Sequence, residues 1–292
     1  MKLYLECISC YIRQAFEAAQ MATDDKKLQE EILRASLIAA SKFNTDKIGL
    51  LTHARIQKAI KKIARVDDPY KEAKEKINSI CLDMSDEIRK VIANSRDHFE
   101  TSLRIALAGN IIDFGQGTNF SKNIIKHTID TSLHQNLDKN KVETLRENIN
   151  KAGKILYIGD NTGEIVFDKI FIEQLPKDKI TFVVRGGPAM NDSTMEDAKA
   201  VGMTDIVKVI TTGLDMAASI LPLCSKKFLN EYKKSDLIIA KGQGNYEALS
   251  DEEKNIFFLL KIKCPVIAKS FKGKYNVGDI VVDTKAQNGS DK

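Results

Sequence analysis

The chain has 292 residues, 45 of them basic and 40 acidic, for a formal net charge of +5. That length can bury a sizeable core, while so small a basic excess, with no aromatic-and-basic repeat and no Cys/His finger, gives no argument for nucleic-acid binding. No run approaches the roughly 18 apolar residues of a membrane span, residues 1–10 lack the layout of a secretory leader, and five cysteines suit a reducing compartment. The expectation is a cytoplasmic protein with neither nucleic-acid nor membrane partners, its oligomeric state left open.

Residues 1–150 carry the helical period throughout. Glu6–Met21, Leu28–Phe43, Thr52–Ile63 and Tyr70–Ala93 space apolar residues at three and four, with Asp67-Asp68-Pro69 as punctuation. Ser102–Ile112 reads as a more deeply buried helix, and Asp138–Asn150 as one that leads into a different half. From Lys154 the period changes. Short runs KILYIG, ITFVVRG, IVKVIT, LIIAKG, PVIAKS and IVVDT alternate with helical stretches at Glu164–Leu175, Thr194–Val201, Leu214–Leu221, Ser225–Tyr232 and Glu252–Ile262. That alternation predicts parallel βαβ units. The fold class is therefore α/β: a Rossmann-like, mainly parallel sheet domain at 151–292, preceded by an all-helical domain at 1–150.

Two of the strand runs end in hard oxygen donors. KILYIG stops at Asp160-Asn161-Thr162-Gly163-Glu164, and ITFVVRGG at Pro188-Ala189-Met190-Asn191-Asp192-Ser193-Thr194. A helix cap explains either cluster alone. Together, at strand ends that open into one crevice, Asp160, Asn161 and Asp192 make an incomplete shell for a cation such as Mg²⁺ or Mn²⁺, completed by water and phosphate oxygens. The other strand ends add positive charge and glycine: Arg185-Gly186-Gly187, Lys241-Gly242-Gln243-Gly244-Asn245, and Lys263 just before the fifth run. Such residues suit an anion, although glycine is also common at any strand-to-helix turn. The pattern matches neither a Walker A loop nor the dinucleotide fingerprint.

Taken in order, several stretches resemble the DUF89, or ARMT1-like, family of metal-dependent phosphatases, also described as damage-control phosphatases. They are Glu6-Cys7-Ile8-Ser9-Cys10 with Arg13-Gln14, then Ala108-Gly109-Asn110-Ile111-Ile112-Asp113-Phe114-Gly115 and Gly159–Glu164. Arg185–Pro188 with Asn191-Asp192 and Lys241–Tyr246 continue the series. The branch resembled is the archaeal and bacterial one with an amino-terminal cysteine pair.

The resemblance implies a helical domain packed on a Rossmann-like one. It also implies a divalent metal on Asp160, Asn161 and Asp192: Mg²⁺ or Mn²⁺, with Co²⁺ and Ni²⁺ also acceptable to oxygen ligands. The implied activity is hydrolysis of a small phosphorylated metabolite, a phosphosugar or a phosphopantetheine-like compound, by a metal-activated water. The family's late lysine falls near Lys263, where this chain reads Leu260-Lys261-Ile262-Lys263 without the arginine and threonine found in other branches. Asp160, Asn161, Asp192 and Lys263 would form the catalytic set. Arg185, Asn191, Lys241 and Asn245 would bind substrate, and Glu164 or Asp197 would position the water. Asn110 and Asp113 would select substrate from the helical domain, a helix C-terminal turn being the equal alternative.

Cys7-x-x-Cys10 stands without a second such pair, so buried helical cysteines compete with an accessory metal or redox role. His53, His98, His127 and His134 show no ligand spacing. Two other functions remain open on this reading. One is an S-adenosylmethionine-dependent carboxyl methyltransferase, against which the first strand ends in an acid-amide pair instead of a glycine-rich loop. The other is a metabolite-binding protein without catalysis.

Overall fold

The computed structural model describes residues 1–110 and 121–284; Asp113 lies outside the described residues. Seven helices come first: α1 (Leu5–Ala22), α2 (Lys26–Ala40), α3 (Gly49–Ala64), α4 (Lys71–Ala93), α5 (His98–Gly109), α6 (Lys122–His134) and α7 (Lys139–Lys151). Several starts are set by capping side chains. Asp25, Asp97, Ser121 and Asp138 each accept a backbone N–H from the first turn.

The α/β half follows as β1 (Ile155–Ile158), α8 (Glu164–Ile172), β2 (Ile180–Val184), α9 (Met195–Ala200), β3 (Lys208–Thr211), α10 (Lys226–Lys234), β4 (Leu237–Lys241), α11 (Gly242–Leu249), β5 (Ile256–Lys261), α12 (Pro265–Ser270) and β6 (Ile280–Thr284). The sheet runs β3-β2-β1-β4-β5-β6. All pairings are parallel except β5 with β6. The order reverses between β1 and β4, which opens a crevice beyond their carboxyl ends.

Both faces of the sheet are buried, which is why its central strands are apolar without alternation. Ile155, Tyr157, Phe182, Leu237, Ile239, Phe257 and Leu259 join the cluster that also holds Ile32, Ile56, Ile77 and Leu103 from the helical half. Leu156, Ile158, Ile238, Phe258 and Leu260 point the other way, toward Phe228 of α10 and Leu249 of α11. Helix α8 lies between the sheet and helices α4 and α5, and all but one of its residues are buried, hence its apolar run. Among the described residues no helix is long and apolar enough to cross a membrane.

Three expectations are corrected. Glu252–Ile262 holds strand β5 where a helix is expected, and PVIAKS is helix α12, with Pro265 in its first turn, where a strand is expected. Lys263 accordingly follows the fifth strand. Leu214–Leu221 is not helical: Ala218 takes φ 69°, and Met216, Ala218 and Ile220 pack on Leu50 of α3. Helix α11 was not foreseen.

Candidate active site at the switch point of the sheet

The loops after β1 and β2 are knitted together by their backbones. Thr162 N donates to Asn191 O (2.9 Å), Ser193 N to Asp160 O (2.8 Å) and Arg185 N to Ser193 O (2.9 Å). Asn161 and Asp192 form a single antiparallel bridge. Met190 holds φ 51°, an uncommon conformation for a side chain of its size, just before Asn191. This framework brings Asp160, Asn161, Asn191 and Asp192 to one place.

Arg185 links the two aspartates. It is 1 % exposed; Nε donates to Asp192 Oδ2, Nη2 reaches Asp160 Oδ1 at 3.5 Å, and Nη1 donates to Ser219 Oγ (3.2 Å) and Asn245 Oδ1 (3.3 Å). Asn245 is itself tied down, with Nδ2 donating to Gly159 O and Lys241 O. The glycines after Arg185 do not form an anion cradle as expected: Gly186 N donates to Leu214 O at 2.7 Å, and a Cβ there would strike Gly213. At Gly242 (φ 78°) an added Cβ would lie 1.9 Å from Asp160 Oδ2, so only glycine lets α11 begin against that carboxylate.

Beneath these groups lies a second layer. Asn110, at the C-terminal end of α5, donates from Nδ2 to Asp160 Oδ2 and Glu164 Oε2, both at 3.1 Å, and accepts Lys261 N on Oδ1. Asn161 Nδ2 donates to the same two carboxylate oxygens at 2.9 Å. Lys241, fully buried, directs Nζ at Glu164 Oε1 (2.8 Å), Asp168 Oδ1 (2.7 Å) and Ala106 O (2.8 Å). Tyr157 Oη donates to Asp168 Oδ1 at 2.7 Å. Lys241 thus spends its ammonium group on partners inside the protein, two by hydrogen bonds and Glu164 by an ion pair, and Asn110 and Asn245 are likewise engaged internally. The contact with substrate expected of these three side chains is not available in this arrangement.

Lys263 is exposed on the turn from β5 into α12, close enough to Asp160 to stabilise its charge. Asp197 lies elsewhere: it closes the capping box of α9 and accepts Asn78 Nδ2, with Lys74 at 3.3 Å. A cavity of about 970 Å³ adjoins that pair, lined in part by Lys61, Asn78, Pro188 and Thr194. Two members of the buried layer, Glu164 and Asp168, had a legible signal. They stand four apart, on one face, in a Glu164–Ile172 helix whose other residues are apolar except Lys169. Ser219 had none.

The electrostatics are those of a site short of positive charge. Asp160, Asp192, Glu164 and Asp168 are directly ion-paired with two cations, Arg185 and Lys241, while Lys263 acts on Asp160 from farther off and Lys74, already paired with Asp68 and Asp197, on Asp192. Burial, with Asp192 and Glu164 nearby, pushes the Asp160 carboxyl up to about 8. Burial also raises Asp192 against the pull of Arg185, and pushes Asp168 up to about 6 against that of Lys241. Among the described residues no group of three or more His, Cys, Asp and Glu side chains is arranged to hold a metal ion. The donors that could hold one are instead two carboxylates and a carboxamide, which together with this charge deficit fit a hard divalent cation.

Comparison with known proteins agrees with this architecture. Residues 3–277 match the model of the damage-control phosphatase ARMT1-like domain. An uncharacterised protein of Methanocaldococcus jannaschii is 38% identical over 97% of this chain and 95% of its own length. A damage-control phosphatase of Pyrococcus horikoshii is 34% identical over 93% of this chain and 95% of its own, and one of Archaeoglobus fulgidus is 31% identical over 96% and 98%. The crystal structure of a DUF89 family protein from Pyrococcus horikoshii superposes with a TM-score of 0.87 at 33% identity, covering 97% of this chain and 98% of that one. The chain belongs to the damage-control phosphatase ARMT1-like family.

Proposed function

We propose that this protein is a metal-dependent phosphatase that hydrolyses a small phosphorylated metabolite, in the manner of the damage-control phosphatases it resembles. The observation that carries the reading is the surplus of carboxylate at the switch point, four acids in direct ion pairs with only two cations among the described residues. A divalent cation held by Asp160, Asn161 and Asp192, Mg²⁺ or Mn²⁺ first among the candidates, would supply Lewis-acid polarisation of the phosphoryl group and acidify a water.

The chain's own residues do the rest by positioning. Arg185 holds the two aspartates at a fixed separation and keeps both ionisable where burial opposes it. Asn110 and Asn161 aim the Asp160 and Glu164 carboxylates, while Lys241 neutralises Glu164 from below. Lys263, exposed and acting on Asp160, would meet the equatorial phosphate oxygens, where charge accumulates during transfer. Asn191, whose backbone ties the loop after β2 to Thr162, is suited to a substrate contact beside Asp192, and the substrate would be a phosphosugar or a phosphopantetheine-like alcohol.

The test is phosphate release from a panel of phosphorylated metabolites with Mg²⁺, Mn²⁺, Co²⁺ or Ni²⁺, and with EDTA. Release that needs the metal and vanishes in Asp192→Ala is the expected result. Equal release with EDTA, or from folded Asp192→Ala protein, overturns the reading.

A further inference from the structure

One side chain of the helical half holds both loops that carry the candidate metal donors. Asn78 of α4 is 4 % exposed. Its Oδ1 accepts Gly163 N, at 2.7 Å, from the loop after β1. Its Nδ2 donates to Asp197 Oδ1 at 3.0 Å. Asp197 in turn holds the end of the loop after β2. Its Oδ2 accepts both Thr194 N and Thr194 Oγ1 at 2.8 Å, two residues past Asp192. Thr194 also forms a bridge with Arg185. A single carboxamide thus links the stretch that bears Asp160 and Asn161 to the one that bears Asn191 and Asp192.

The residue type is dictated at both ends. A backbone N–H needs an acceptor, and the Asp197 carboxylate, ion-paired with Lys74 at 3.3 Å, needs a donor. Only an amide offers one of each, and the two partners fix which way it points. The contact is also close. A Cβ added to Gly163 (φ 73°) would stand 2.8 Å from Ile77, the neighbour of Asn78, so α4 lies directly against the turn. Lys61 of α3 supports the second loop in a similar way, donating from Nζ to Pro188 O.

We infer that Asn78 is a positioning residue for the metal site: it sets how the loops after β1 and β2 stand to each other, and so the separation of Asp160 and Asn161 from Asp192. The inference rests on the metal-dependent reading above. Asn78 acts through the backbone of Gly163 and the side chain of Asp197, not through the donors themselves. Arg185 spaces the two aspartates within the site, and Asn78 does so from the helical half. A cation held by few protein donors depends on their spacing, and partners that orient ligands are typically worth a factor of ten or more in metal affinity.

The test is direct Mn²⁺ binding to the full chain, read from the electron paramagnetic resonance signal of free Mn²⁺, with urea midpoints taken alongside. Asn78→Ala should bind about tenfold more weakly while folded. Asn78→Asp should be weaker still, because two carboxylates would then face each other. Combining Asn78→Asp with Asp197→Asn should recover most of the affinity. That exchange keeps the charge, keeps acceptors for Gly163 N and Thr194, and merely reverses the donor between the two side chains. A role in packing alone predicts lower stability with Mn²⁺ affinity intact. Unchanged affinity in folded Asn78→Ala overturns the inference. So does an exchange variant that binds as weakly as Asn78→Asp, a comparison that serves if Asn78→Ala does not fold. A wild-type chain that takes up no Mn²⁺, or takes it up equally in Asp160→Ala, removes the metal reading itself, and this inference with it.

Discussion

Gly242 carries the sharpest residue-level constraint on the site. A methyl group there would displace the Asp160 carboxylate, 1.9 Å away, and would sit at φ 78°. Gly242→Ala should lower phosphate release by about a hundredfold, the usual effect of moving a reacting group by an ångström, with the circular dichroism spectrum unchanged. Unaltered turnover would remove Asp160 from the mechanism. His53 bears on stability instead. It is buried on α3 beside the Tyr11 ring, 5.1 Å between centroids, and burial pushes its imidazole down to about 4. The unfolded chain binds this proton near pH 6.5, the folded one only near 4. Stability should therefore fall as pH drops through that window, by about 3 kcal/mol in all. His53→Gln should flatten that part of the urea-midpoint profile; an unchanged slope would assign the acid sensitivity to other groups.

At the scale of elements, Lys241 ties three of them together at one ammonium: β4, which carries it; α8, through Glu164 and Asp168; and α5, through Ala106 O. Lys241→Met would leave two buried carboxylates without their cation, a loss of about 3–5 kcal/mol. Adding Asp168→Asn should restore part of it, read as a partial return of the urea midpoint. No recovery would mean the lysine matters for packing alone.

The acid-amide cluster after β1 was legible because its chemistry is local. Lys241 was legible as a charge but not as a buried one, since burial depends on which helix covers the strand end. The interchange of β5 and α12 has a similar origin. Asp251-Glu252-Glu253-Lys254 imitates a helix's acidic first turn, and the Phe and Leu that follow carry no β-branching. A position between β4 and β6, buried on both faces, overrides that local signal. The 214–221 loop misled for the opposite reason: its helical spacing of apolar residues serves contact with α3, while Ser219 turns inward to Arg185.

Across the whole molecule, the change of period near residue 150 does not interrupt the core. One hydrophobic cluster runs from Leu3 through the helical half to Val282 of β6. Polar ties cross the same junction at several heights: Arg89 to Glu173 at 2.9 Å, Asn78 Oδ1 from Gly163 N at 2.7 Å, and Lys141 to Asp283 at 3.1 Å. Asn110 reaches from α5 into the site itself. Two halves that share a core cannot lose one without exposing the inner face of the other, and a large apolar interface couples their unfolding. Urea unfolding should therefore be a single transition, with far-ultraviolet circular dichroism, dominated by the helices, coinciding with the tyrosine signal of a Tyr4→Phe, Tyr11→Phe, Tyr70→Phe variant, whose remaining tyrosines all lie in the sheet half. Asn110→Ala should shift both curves together. If the helical signal is lost at lower urea while the tyrosine signal stays native, the halves are separable units. The site would then depend on their docking, with turnover following the helical curve.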